Sequence, residues 1–84
     1  MENVLKHPLA TEKSIRLMEA ENKLVFVVDK KATKQDIKKA VETMFKAKVI
    51  AVNTHNSTTG EKKAYITLSK ETPAIDIATS LGIM

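Results

Sequence analysis

The hydrophobic positions of this chain fall into short segments with two different periods. In Lys23 to Asp29, Leu24, Phe26 and Val28 share one side and Val25 and Val27 the other, which predicts a strand apolar on both faces. A strand of that kind needs covering from both sides, and helices on opposite faces of one sheet are the expected covers. From Thr33 onward the period changes. Ile37, Ala40, Val41, Met44 and Phe45 recur at i, i+3, i+4, i+7 and i+8, the stripe of an amphipathic helix. Thr33 is its predicted N-cap, with Asp36 at capping-box spacing. Lys34 and Lys38 flank the stripe, and Lys39 and Lys46 lie on the solvent side.

The other segments are shorter. Asn3 to Lys6 reads as a short strand broken by His7-Pro8-Leu9-Ala10, because Pro8 supplies no backbone donor. Thr11 then caps a helix over Glu12 to Ala20, with Ser14, Ile15, Leu17 and Met18 on its inner side and Glu12 at its positive end. Glu21-Asn22 ends it. Val49 to Asn53 and Lys62 to Ser69 read as strands, joined across the polar stretch Thr54 to Glu61, which contains Gly60. In the second of these strands Ala64, Ile66 and Leu68 alternate with Lys63, Tyr65 and Thr67. Thr72-Pro73 opens a last helix with Ala74, Ile75, Ile77, Ala78 and Leu81 on its apolar side, and Gly82 is its stop.

The order β-α-β-α-β-β-α predicts a fold of the α+β class. Its middle β-α-β implies two parallel strands joined by a right-handed crossover, with the hairpin strand Lys62 to Ser69 inserted between them and antiparallel to both. The result is a split β-α-β: a small, four-stranded, largely antiparallel sheet with helices on both faces. Eighty-four residues make one domain, spanning 1–84. Phe26, Phe45 and Tyr65 are the only aromatic residues, so Val, Ile, Leu, Ala and Met must fill the core.

Composition removes several kinds of chemistry. The chain has no Cys, which excludes disulfides, thiolate zinc sites and cysteine nucleophiles and fits a cytoplasmic protein. No apolar run approaches the roughly 20 residues of a membrane span. Two glycines cannot build a Gly-rich phosphate loop. His7 and His55 lie far apart in predicted loops, and no Ser stands in a strand–turn–helix elbow. An acyl-phosphate enzyme on a split β-α-β fold would want an Arg in such a loop, yet the only arginine, Arg16, lies on a helix. Catalysis is therefore not expected, and neither is a cofactor, a metal or a small-molecule substrate.

Charge points elsewhere. Fourteen basic residues against ten acidic ones give a net charge of +4. Three groups stand out: Lys30, Lys31, Lys34 and Lys38 where a strand gives way to a helix, Lys62 and Lys63 at the start of the hairpin's second strand, and Lys6 and Lys13 around Pro8. Lysines in loops and at helix starts suit phosphate groups. A sheet that reads free single strands stacks bases on several exposed rings. This chain offers only Phe26 and Tyr65, and Phe26 belongs to the core pattern, so recognition of folded RNA by shape and phosphate is the favoured mode.

The residues also resemble a known family. Pro8-x-x-Thr11-Glu12-Lys13, Asn22-Lys23-Leu24-Val25-Phe26-Val27-Val28 and Ala32-Thr33-Lys34-x-x-Ile37-Lys38-x-Ala40-Val41-Glu42 occur in order, followed by Phe45, Val49 and Val52-Asn53-Thr54. This series is similar to the L23 family, the universal ribosomal protein twenty-three of the large subunit. Gly60-Glu61-Lys62-Lys63-Ala64-Tyr65 and Leu81-Gly82-Ile83 resemble its archaeal members. The resemblance implies a cytoplasmic, ribosome-bound protein that contacts domain III of 23S-type rRNA beside the polypeptide exit tunnel. It implies ribosomal protein twenty-nine as a neighbour, and a docking platform for exit-site factors such as the signal recognition particle. Bacterial members bind trigger factor through the Glu of this motif; here Glu12 holds that position and is the expected docking residue. Bacterial members also send a long basic hairpin into the tunnel, whereas Thr54 to Glu61 is short, with His55 its only basic residue. The expected RNA-binding residues are Lys6, Thr11, Lys13, Lys30, Lys31, Lys34, Lys38, Asn53, Lys62 and Lys63.

Overall fold

A computed structural model describes residues 4–58 and 60–82. The elements run β1 (Leu5–Pro8), α1 (Glu12–Glu21), β2 (Lys23–Val28), α2 (Lys34–Phe45), β3 (Val49–Asn56), β4 (Lys62–Leu68) and α3 (Ala74–Leu81). The strands form one sheet in the order β1-β2-β4-β3, and every neighbouring pair is antiparallel. β4 therefore lies between β2 and β3, which run parallel to each other across the α2 crossover, as the sequence predicts.

Alternation along β2 and β4 decides what each face of the sheet does. Leu24, Phe26 and Val28 pair in register with Ile66, Ala64 and Lys62. The apolar members of this set, with Leu68 and Val49, form the floor of the core. α2 lays Ile37 and Val41 on that floor, α3 adds Ala74, Ile77 and Ala78, and α1 adds Met18. The Phe26 and Phe45 rings meet with centroids 6.0 Å apart. On the other face Val25 and Val27 are also buried, and the first half of α1 borders Val25 through Ser14 and Leu17. Helices thus serve both faces, although most of the core lies on one.

Local signals set the helix boundaries. The hydroxyl of Thr33 accepts a hydrogen bond from the Asp36 N–H at 3.2 Å, and the Asp36 carboxylate accepts one from the Thr33 N–H at 3.1 Å. The capping box is therefore complete. Thr11 caps α1 in the same way through the Ser14 N–H, and the buried Ser14 hydroxyl donates back to the Leu9 and Thr11 carbonyls. Asn22 ends α1 in the left-handed region at φ 55°. Its side-chain amide donates toward the carbonyls of Leu68, Ser69 and Thr72, and its oxygen accepts from the Ala74 N–H at 2.6 Å. One residue thus ties the end of α1 to the end of β4 and the start of α3, and supplies the side-chain acceptor that Pro73 cannot.

Several boundaries differ from the sequence reading. The predicted start of the first strand, Asn3, lies outside the described residues, and the strand continues through Pro8. β1 is an edge strand, and the Leu9 N–H points at β2, bonding the Val25 carbonyl at 2.9 Å. The donor missing at Pro8 therefore falls on the solvent side, where it costs no ladder bond. β3 runs on to Asn56 because Thr54, His55 and Asn56 pair with Ala64, Lys63 and Lys62. Met44 and Ile75, assigned to apolar helix faces, are 64% and 40% exposed.

Candidate nucleic-acid interface

The predicted RNA-binding residues separate into two main groups. The first gathers at the end of the sheet where β2 hands over to α2. Asp29 holds the turn there, its carboxylate accepting from the Lys31 N–H at 2.8 Å and its carbonyl from the Ala32 N–H at 3.0 Å. The β3–β4 turn closes against the same place. Gly60 adopts φ +89°, and a Cβ on it would stand 3.1 Å from the Lys30 ammonium. From β4, the half-buried Lys62 donates to the Ala32 carbonyl at 2.6 Å. Lys30, Lys31, Lys62 and the first helical residue, Lys34, thus share one end of the molecule, with Lys38 one turn further along α2. Lys62 combines a structural tie with its charge, since one of its three donors is already committed to the backbone.

The second group lies on the sheet face away from most of the core. Lys63 is in register with Val27 on one side and His55 on the other, and Tyr65 with Val25 and Asn53. The β3 side of this face is bare, with Ala51, Asn53 and His55 exposed. The start of α1 borders it from the β2 side, so that Thr11, Lys13, Lys63 and Tyr65 surround a shallow depression of about 160 Å³. Leu9, Ser14, Leu17 and Val25 complete its lining. Lys6 is exposed on the edge strand β1, at a register shift.

These cations are available to a partner. Among the described residues the ion pairs are Arg16–Glu12 at 2.8 Å and Lys23–Glu21 at 3.3 Å, and neither involves a predicted RNA-binding residue. Net charge therefore projects outward rather than being cancelled locally. The helix carrying Thr11 and Lys13 turns Glu12 and Arg16 to a different face, where both side chains are about four-fifths exposed. The sequence reading leaves Tyr65 and the two histidines out of its expected RNA-binding set, yet all three occupy register positions on this face. The signal was present in the alternation of Lys63, Tyr65 and Thr67 with Ala64, Ile66 and Leu68, which alone puts Tyr65 on the outward side.

No described helix is long and apolar enough to cross a membrane. Comparison with known proteins gives a consistent answer. Residues 3–77 match the sequence model of the family described as Ribosomal protein L23. The large ribosomal subunit protein uL23 of Methanococcus vannielii is 51% identical over 81 residues, covering 96% of this chain and 94% of the relative. Its counterparts from Methanococcus maripaludis strains C7 and C5 are each 49% identical over the same length and coverage. The match runs through both lysine groups, the complete capping box and the Asn22 clamp, and by it the chain belongs to the ribosomal protein L23 family.

Proposed function

We propose that the chain binds 23S-type rRNA, in domain III beside the polypeptide exit, as a structural constituent of the large ribosomal subunit in the cytoplasm. The observation that carries this reading is the set of lysines that have no carboxylate partner among the described residues, disposed around one sheet face and one sheet end of a small folded domain. Family membership supplies the ribosomal context. Such an array neutralises phosphates of a folded RNA without needing several stacked bases.

The test is salt titration of binding to a domain III transcript. Each phosphate contact contributes a log–log slope of about −0.7 to −0.9, so removing Lys30, Lys31 and Lys63 together flattens the slope by about 2 to 3. A flat response in the unaltered protein overturns the reading.

A second role rests on Glu12. Its carboxylate is exposed, held only by the surface pair with Arg16, and set on a different face from Lys13 and Lys63. An exposed pair of this kind exchanges partners at little cost. A basic segment of an exit-site factor, such as the signal recognition particle, can therefore replace Arg16 while the lysine groups hold RNA; ribosomal protein twenty-nine is the proposed neighbour in the same subunit. Glu12→Ala is expected to enter large subunits normally and to bind that factor less well. Failure to assemble, with factor binding unchanged in the assembled fraction, assigns Glu12 to the RNA or folding side instead.

A further inference from the structure

Tyr65 has an unusual position among the three aromatic residues. Phe26 and Phe45 are packed together against the core. Tyr65 sits half-buried on β4, an inner strand, facing away from that core. Its ring borders the shallow depression at the start of α1, whose apolar lining comes from Leu9, Leu17 and Val25 and whose rim carries Lys13 and Lys63. Among the described residues its hydroxyl has no hydrogen-bond partner, and neither has the amide of Asn53, its register partner on β3. A phenol that served only to fill space on the sheet would gain nothing from this polar, cationic surround.

We infer that this depression receives a single unpaired nucleotide of the bound rRNA, its base stacked on Tyr65 and its phosphates held by Lys13 and Lys63. The inference rests on the rRNA-binding reading above and adds a base-recognition site to it. The chemistry fits in each part. A half-exposed ring gives a π-face for one base, and stacking of this kind tolerates any base identity. Asn53 and the Tyr65 hydroxyl offer donors and an acceptor for a base edge or a 2′-hydroxyl. The two ammonium groups match the flanking phosphates. Size argues the same way: about 160 Å³ is too small a space to seat a helix about 10–12 Å across. A peptide strand has no edge to pair with here either, because β4 is hydrogen-bonded on both sides. Since Tyr65 is the one ring among the residues lining the depression, one base is received there rather than a run of them. That agrees with recognition of a folded RNA from which a single residue is turned out.

The protein reports on this itself. Tyr65 is its sole tyrosine and it contains no tryptophan, so its intrinsic fluorescence is that of Tyr65. The full chain is titrated with a domain III transcript while fluorescence and bound fraction are read together. The expected result is quenching that follows saturation. Tyr65→Phe keeps the ring and stays within about fivefold of the unaltered affinity. Tyr65→Leu weakens binding by about 10- to 100-fold with its salt slope unchanged. Saturable, salt-dependent binding without quenching overturns the nucleotide site and leaves the rRNA reading intact, and it does so without relying on any variant. Folded Tyr65→Leu with unaltered RNA affinity also overturns it, whether or not that variant loses a protein partner. Absence of any binding by the unaltered chain overturns both readings.

Discussion

The two faces of β4 are built from alternate residues of one seven-residue strand, and they do opposite work. Ala64, Ile66 and Leu68 are at most 2% exposed and lie under α2 and α3. Lys63, Tyr65 and Thr67 are half-buried, opposite the exposed Asn53, His55 and Ala51 of β3. Because side chains alternate with a period of two, neither set can change sides without a register slip that would move every residue of the strand. The buried set fixes the register, and the register in turn places a ring and an ammonium group at defined positions on the outer face. If this face binds RNA as proposed, its geometry is inherited from core packing and requires no specialised loop.

If that division holds, the core face carries stability and the outer face carries affinity. Phe26→Ala is the most severe challenge. Phe26 is 3% exposed and packs on Phe45, and its removal is expected to cost about 3–5 kcal/mol. That is a large share of what a domain this small possesses, and denaturant unfolding reads it directly. The companion change Lys63→Gln should leave the unfolding midpoint in place while lowering RNA affinity. A midpoint that falls for Lys63→Gln as it does for Phe26→Ala would break the comparison.

Next in size is Asn22, which belongs to neither face and holds the end of the sheet. Replacing it by Ala removes its side-chain bonds to Leu68, Ser69, Thr72 and Ala74 and puts in the left-handed region a residue that tolerates it less well than Asn. The expected cost is about 2–4 kcal/mol. Hydrogen exchange should show the loss first at the start of α3. Loss of protection confined to α1 would mean that Asn22 acts only as a helix terminator.

That last possibility is what the sequence alone suggests, and it marks where sequence reasoning stops. Periodicity reveals β2, β4 and α2 because their patterns repeat over several residues. The capping box reads directly because its two partners are three positions apart. The Asn22 clamp joins residues 46 to 52 positions apart, and nothing in local pattern announces such a pairing. The same is true of Lys62, whose ammonium ties back to Ala32 across 30 positions. In sequence it is indistinguishable from its neighbour Lys63. The end of β3 was obscured for a different reason: Thr54, His55 and Asn56 are polar because their strand is an edge with one bare face, and polarity alone resembles a loop. The lysine groups were legible as clusters. Their division between one sheet end and one sheet face was not, because it depends on the register of β4 against β2 and on the Lys62–Ala32 tie, which no local pattern shows.

The smallest effect sharpens the comparison at the helix that covers the core face. Hydrogen bonds from the Thr33 backbone N–H first, and from its hydroxyl second, hold the Asp36 carboxyl below its ordinary value. A carboxyl whose pKa is depressed by folding stabilises the native state at pH values above its unfolded pKa. That contribution falls away as pH drops through the unfolded value toward the folded one. Thermal unfolding followed from neutral pH into the acid range should therefore lose a component that Asp36→Asn lacks. Thr33→Ala should lower stability by about 0.5–2 kcal/mol at neutral pH and flatten the same acid dependence, because it removes the hydroxyl from one half of the box. Neither change removes a proposed RNA-binding residue, so the salt slope of RNA binding should match that of the unaltered chain. A slope altered by Asp36→Asn would show that the start of α2 contributes to the interface through its own charge, and that Lys34 works there together with the helix terminus rather than as a separate cation.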